Sequence, residues 1–245
     1  IVLVTKVYQP MIAGPNGGRL SAYHIRKARE DSLRRLKTDH IDLYQMHHFD
    51  RLTPWEENWS AMETLVRQGK VLYVGRCNFP GWGIAAAQGE AHMRGFMGLV
   101  SEQSRYSLTC RAIELEVLPS ARWNSMGVLA YSPLDGGLLA GALKKAAEKS
   151  RRRKPSLSIR DPKFYDRVAA YEKLCDEYGL APADVAQAWV LANPDITGPI
   201  VGPRTVEQLE SSVKGLDVKL SEEMMKKLDE IFPGPGGEAP EAYAW

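Results

Sequence analysis

The strongest constraint on the fold is a regular alternation of short apolar runs with amphipathic stretches along nearly the whole chain. The first run, I-V-L-V-T-K-V, begins at Ile1. Gln9 to Leu20 is rich in Gly and Pro and reads as a loop, and Ser21 then offers an N-cap for a helix to about Leu36. A strand at Ile41 follows, and Thr53 and Pro54 open a helix whose Trp55, Trp59, Met62, Leu65 and Val66 share one face before Gly69 stops it. The pattern continues with strand Val71 to Arg76, helix Trp82 to Met93, strand Gly98 to Gln103, helix Arg111 to Trp123 and strand Gly127 to Tyr131. After a long connection come helices Asp161 to Tyr178 and Pro182 to Leu191, and a short strand from Pro199 to Val201. Helices Thr205 to Lys214 and Ser221 to Ile231 end the series, each with a hydroxyl cap. Strands separated by helices imply right-handed crossovers and a parallel sheet.

Two architectures suit this pattern, an open doubly wound sheet and a closed barrel. No G-x-G-x-x-G follows the first strand, which weighs against the dinucleotide-binding open sheet. A (βα)8 TIM barrel needs eight strands and six are visible, so the expectation is a single barrel domain over residues 1–245 with its first two strand-helix units missing upstream of Ile1. Ile1 is not an initiator methionine and already lies in an apolar run, which fits a sequence that starts inside a domain.

Charge narrows the partners. A formal net charge of +2 arises from 32 basic and 30 acidic residues, so no overall field draws the chain to nucleic acid or membrane. No apolar run approaches the roughly 20 residues that span a bilayer. Cys77, Cys110 and Cys175 are odd in number and lack C-x-x-C pairing, consistent with a reduced, cytoplasmic protein that has neither disulfides nor a zinc site. One basic stretch, Lys144 to Lys154 within a loop expected over 144–160, reads either as a solvated loop or as a clamp for a phosphorylated ligand. Residues 233–245 read as a Gly/Pro-rich tail.

Polar residues collect at the C-terminal ends of the expected strands: Lys6, His47, Cys77 with Asn78, Gln103, Tyr131 with Ser132, and Gly202 with Arg204. In a parallel barrel these ends face one mouth, where barrel enzymes carry their active sites. His47, in I-D-L-Y-Q-M-H-H-F-D, is central, because an imidazole at a strand end can titrate near neutrality or hydrogen-bond a substrate oxygen. Beside that reading stands a histidine satisfied locally, next to a surface-facing His48.

The ordered set V-T-K-V, D-L-Y-Q-M-H-H, G-K-V-L-Y-V-G-R-C-N-F, A-Y-S-P-L-D-G-G-L-L and P-I-V-G-P-R-T-V-E-Q-L resembles the aldo-keto reductases, a nicotinamide-dependent barrel family, across essentially the whole chain. The resemblance implies that Lys6 lowers the pKa of a proton-donating tyrosine and that His47 orients and polarises a substrate carbonyl. Such a role is sound physically, because a nearby ammonium stabilises phenolate and brings tyrosine down from about 10. On spacing alone Lys6 could equally snorkel to solvent.

Cofactor roles also follow from the resemblance. Cys77, Asn78 and Gln103 match positions that contact the nicotinamide carboxamide, and Tyr131 matches the ring that stacks on nicotinamide. Ser132, Leu134 and Gly136 match the turn beside the pyrophosphate; Gly202, Arg204, Gln208 and Ser212 match the segment around the adenosine end. An arginine and a helix start favour an anionic 2′-phosphate, hence NADPH. Thr205 and Gln208 also form a T-x-x-Q capping box that needs no ligand.

The chain departs from the pattern at Cys77, where serine is common, and at Ser211 and Ser212, which replace an acid-amide pair. The catalytic tyrosine and aspartate implied by the resemblance would precede Lys6 and are not in the sequence. The expected function is NADPH-dependent reduction of an aldehyde or ketone, with His47 favouring a carbonyl over a conjugated double bond. The loop and tail are similar to bacterial members, including reductases of nucleotide-linked deoxy sugars. The alternative is a catalytically inactive NADP-binding regulatory protein or a truncated remnant, and an upstream D-x-x-x-x-Y separates the two.

Overall fold

In the computed structural model, residues 1–147 and 162–239 are described. They form two compact units. The first takes Ile1–Ser104 with Glu116–Val128; the second takes Arg105–Leu115 and the described residues from Leu129 onward.

The first unit contains β1 (Val4–Val7), α1 (Ala22–Leu36), β2 (Ile41–Met46), α2 (Trp55–Arg67), β3 (Val71–Cys77), α3 (Gly81–Met93), all but the last residue of β4 (Leu99–Arg105), α4 (Val117–Trp123) and the start of β5 (Gly127–Tyr131). β1 pairs with β2, β2 with β3 and β3 with β4, all in parallel. The helices bury apolar faces in which Trp59, Ile25, Met62, Leu65 and Ile84 are fully buried, with Tyr44 and Met46 of β2. The indole N–H of Trp59 donates to the Ala87 carbonyl at 3.0 Å, so this large ring is buried with its one polar atom satisfied.

Register decides which side chains form the site. Lys6 lies opposite Gln45, Gln45 opposite Gly75, Gly75 opposite Ser101, and Cys77 opposite Gln103. Opposed residues of a pleated sheet share a face, so Lys6, Gln45, Cys77, Ser101 and Gln103 lie on one side. The alternate set, including Tyr44, Met46, Val74, Arg76 and Glu102, lies on the other. Between Val74 and Gly75 the pairing jumps from Leu99 to Ser101, a bulge in β4. Gly75 is required where it stands: a Cβ there would come within 2.3 Å of Ser101 Oγ and 3.0 Å of Leu43 Cδ1.

The second unit holds α5 (Ala142–Ala147), α6 (Pro162–Glu177), α7 (Pro182–Ala192), β6 (Gly198–Ile200), α8 (Val206–Lys214) and α9 (Glu222–Ile231). β5 pairs in parallel with β6 through Leu129↔Gly198, Ala130↔Pro199 and Tyr131↔Ile200. Tyr171, Val185, Val190 and Leu228 are fully buried here, with Trp189 and Phe232 nearly so.

Six parallel strands among the described residues match the expected α/β class, and several boundaries move. β1 starts at Val4, three residues later than the apolar run, while Leu3 N–H donates to the Asp42 carboxylate at 2.7 Å. The single helix expected over Arg111 to Trp123 is a 3-10 turn at Ala112–Glu114 followed by α4. The expected long connection contains α5, and Lys144, expected in a loop, is helical and ion-paired with Asp176. Its sequence A-L-K-K-A-A consists of good helix formers, and the Glu172 carboxylate accepts the Leu143 and Lys144 amides at 2.9 and 3.2 Å. The rest of the basic stretch, 148–160, and the end of the tail lie outside the described residues.

Candidate active site

In the first unit, Lys6 on β1 lies opposite Gln45 of β2, and His47 follows immediately after the end of β2. The His47 amide donates to the Val7 carbonyl at 2.9 Å, which extends the pairing by one rung past the strands. The His47 ring stacks on His48 with centroids 4.6 Å apart, and Tyr8 meets His48 edge-on at 5.1 Å. His48 is therefore half-buried and engaged, where the sequence suggested a surface-facing residue. Burial lowers the His47 pKa, helped by the positive potential of His48 and Lys6. A neutral imidazole results near pH 7, able to donate one N–H to a carbonyl oxygen without carrying charge.

Asn78 stands just past β3 with φ 56°, a left-handed conformation that asparagine tolerates better than most residues. Its amide donates to the Gln103 carbonyl at 3.0 Å and its side-chain nitrogen to the His47 carbonyl at 3.4 Å, tying three strand ends together. The turn is braced from the opposite face: the Glu102 carboxylate accepts Ser104 Oγ at 2.6 Å and the Phe79 amide at 3.4 Å. Glu102 in turn lies 2.9 Å from Arg76 Nε, and both side chains are 0% exposed. The Arg76 guanidinium sits 4.4 Å from the Phe79 ring centre.

On the site face, Gln103 Nε2 donates to Gln45 Oε1 at 3.1 Å and the Cys77 thiol points to the same oxygen at 3.7 Å. Burial pushes the Cys77 thiol up to about 12, so it stays protonated near neutral pH. No group of His, Cys, Asp or Glu among the described residues could hold a metal ion.

The second unit carries the remaining expected residues. Tyr131 ends β5 and its carbonyl accepts the Tyr106 amide at 3.3 Å. Ser132 (φ 58°) and Gly136 (φ 68°) are both left-handed and Leu134 is half-buried, giving a tight turn whose Asp135 carboxylate is held by Arg105 and by Thr109 Oγ1. Gly202 and Arg204 are exposed ahead of α8. Gln208 works as a cap: its Oε1 accepts the Arg204 amide at 2.8 Å, while its own amide donates to Thr205 Oγ1 at 3.3 Å. Ser212 Oγ donates back to the Gln208 carbonyl at 2.9 Å, and Ser211 Oγ to Asp184 at 3.1 Å.

The first unit thus brings Lys6, His47, Cys77, Asn78 and Gln103 onto contiguous strand ends, and the second brings Tyr131, Ser132, Leu134 and Gly136 into one turn. Sequence reasoning missed Gln45, Arg76 and Glu102. Gln45 had a signal: a polar residue inside an apolar parallel strand, two positions before His47 and therefore on its face.

Comparison with known proteins follows the same lines. The model of the family described as Aldo/keto reductase matches residues 1–232. The uncharacterized oxidoreductase YrpG of Bacillus subtilis is 53% identical, over 100% of this chain and 76% of that protein. The NADP(+) aryl-alcohol dehydrogenase of Phanerodontia chrysosporium is 32% identical over 89% of this chain, which spans 58% of its length. A probable voltage-gated potassium channel subunit beta of Arabidopsis thaliana is 29% identical over 99% of this chain and 76% of that protein.

Proposed function

Because the chain belongs to the aldo/keto reductase family, we propose that it is an NADPH-dependent oxidoreductase that reduces an aldehyde or ketone to an alcohol. The observation that carries the reading is the alignment of Lys6 beside Gln45 with a neutral His47 at the next strand end, braced through Asn78 to Gln103. Neutral amide groups at Asn78 and Gln103 suit a carboxamide, which needs one donor and one acceptor and no charge. Arg204, exposed and without an ion pair among the described residues, suits a 2′-phosphate. The cofactor supplies hydride when bound.

His47 donates an N–H to the substrate oxygen and fixes the carbonyl's direction, while Lys6 provides the positive potential that makes a neighbouring phenol more acidic. The phenol is the tyrosine implied by the family resemblance, with its aspartate, upstream of Lys6. Tyr131 would supply a stacking ring, the Ser132–Gly136 turn would hold the pyrophosphate, and Gly202, Gln208 and Ser212 would support the adenosine end. The natural protein is a (βα)8 barrel in this reading. The named activity of the fungal relative makes an aryl aldehyde the first substrate to try, with a nucleotide-linked deoxy sugar second.

The test is a fluorescence titration of the full-length natural protein with NADPH and NADH, followed by NADPH oxidation with benzaldehyde derivatives. Tighter binding of NADPH, lost in Arg204→Ala, and turnover sensitive to His47→Ala are expected. Absence of nucleotide binding would remove the reading. Binding without turnover of any carbonyl would favour an NADP-binding regulatory role; the plant relative is named as a probable channel subunit.

A further inference from the structure

Gln45 is fully buried, lies on the strand rung of Lys6, and contributes one oxygen on which two neighbouring side chains converge. The polarity of this small network can be deduced. A thiol pushed up to about 12 by burial is protonated, and a protonated thiol is a donor and a feeble acceptor. The Gln45 atom facing Cys77 Sγ must then be oxygen. The Gln103 atom at 3.1 Å from that oxygen must be nitrogen, since two amide oxygens repel each other. Gln103 Nε2 is therefore spent inside the protein, and its Oε1 is the atom left to face a ligand.

We infer that Gln45 is a positioning residue for cofactor recognition: by engaging Gln103 Nε2 and the Cys77 thiol, it fixes the Gln103 amide so that Oε1 accepts the amino N–H of a nicotinamide carboxamide. Gly75 makes room for it. A side chain at position 75 would fill the space beside Gln45 Cγ, where a Cβ already approaches to 3.2 Å. Gln45 Nε2 and Ser101 Oγ, buried on the same face without partners among the described residues, mark this as a surface built for polar company. The Gln103 acceptor role rests on the nicotinamide reading above; the lock on its orientation is a property of this chain's own network.

The test compares Kd for NADP+ with Kd for its 3-acetylpyridine analogue, in which a methyl group replaces the carboxamide amino group and removes the donor. In wild-type protein the fixed Gln103 oxygen discriminates between them. In Gln45→Met, similar in volume but without the acceptor, Gln103 is free to turn and the preference should shrink roughly 3- to 10-fold, the worth of one neutral hydrogen bond. Equal weakening of both nucleotides, with the preference unchanged, would mean that Gln45 only supports the fold and would overturn the inference. Should Gln45→Met fail to fold, Gln45→Asn keeps the amide but withdraws it by one methylene from Gln103, and the same ratio decides. Wild-type protein that binds both nucleotides without preference refutes the inference and leaves the cofactor reading standing; wild-type protein that binds neither removes both.

Discussion

Replacing Glu102 by leucine should unfold the first unit at markedly lower denaturant, and the structure sets the size of the effect. Arg76 and Glu102 are 0% exposed and touch at 2.9 Å, yet Nη1 and Nη2 of Arg76 have no hydrogen-bond partner among the described residues. Burial pushes the Arg76 pKa down to about 10 and the Glu102 pKa up, in each case against the pull of the partner. Each ion is therefore less comfortable in the fold than in water. Removing Glu102 alone leaves a guanidinium whose remaining compensation is the Phe79 ring, worth about 1–2 kcal/mol. The expected loss is about 3–5 kcal/mol, a large share of the roughly 5–15 kcal/mol of a typical domain. With a urea slope of about 2.5 kcal/mol/M, the midpoint should fall by about 1.5 M, read by tryptophan fluorescence since Trp55, Trp59 and Trp82 all lie in this unit. The double variant Arg76→Met/Glu102→Leu removes both buried charges and should match wild type or exceed it. A single variant that shifts the midpoint by less than about 0.4 M, or a double variant no better than the single, would refute this account.

Gly75→Ala should cost about 1–3 kcal/mol, because its Cβ collides with Ser101 Oγ; adding Ser101→Ala should recover part of the loss in the same unfolding assay. The folded state holds the His47 pKa below 6.5, so the resulting stability is fully present above that value and fades as pH falls through it. His48→Gln removes one positive neighbour and should raise the His47 midpoint in an NMR titration; an unchanged midpoint would mean that His48 plays no part in lowering it. For Asp50, burial pushes the carboxyl up, but hydrogen bonds from the Leu52 amide (3.0 Å), Thr53 Oγ1 (2.8 Å) and the Leu20 amide (3.1 Å), with Arg19, bring it below the usual value. Stability from this contact is present above pH 4 and lost as pH falls through the folded pKa, and Asp50→Asn should speed hydrogen exchange at Leu20 and Leu52 by about 10-fold or more.

What could be read from the sequence was the chemistry that acts over a few residues. Ser21, Thr205 and Ser221 cap their helices with side-chain oxygens on the third residue onward, as their positions suggested. Gly127 to Tyr131 matches its strand to the residue, and the strand begun at Ile41 ends at Met46, so His47 falls just past its end. What could not be read depends on residues far apart in the chain. The helix expected through Glu116 breaks where its backbone meets Gly81, at which a Cβ would lie 2.8 Å from the Glu116 carbonyl oxygen. Ser120 Oγ then donates to the Gly81 carbonyl at 3.0 Å, a contact with no local signature. Gln103 was legible as a candidate site residue, but that its nitrogen is committed to Gln45 depends on strand register, which pattern alone does not fix.

The bulge in β4 leaves that strand with two conceivable phases. Closing it by a slip of one residue would put Val100 opposite Gly75 and Glu102 opposite Cys77, turning a carboxylate toward Lys6 and sending Gln103 among the helices. The slipped strand would also strip Arg76 of its counter-ion in a place where water cannot replace it. An ion pair that is costly as a source of stability is thus effective as a phase lock: it penalises the wrong reading frame of the sheet and leaves an amide, not an acid, opposite Cys77.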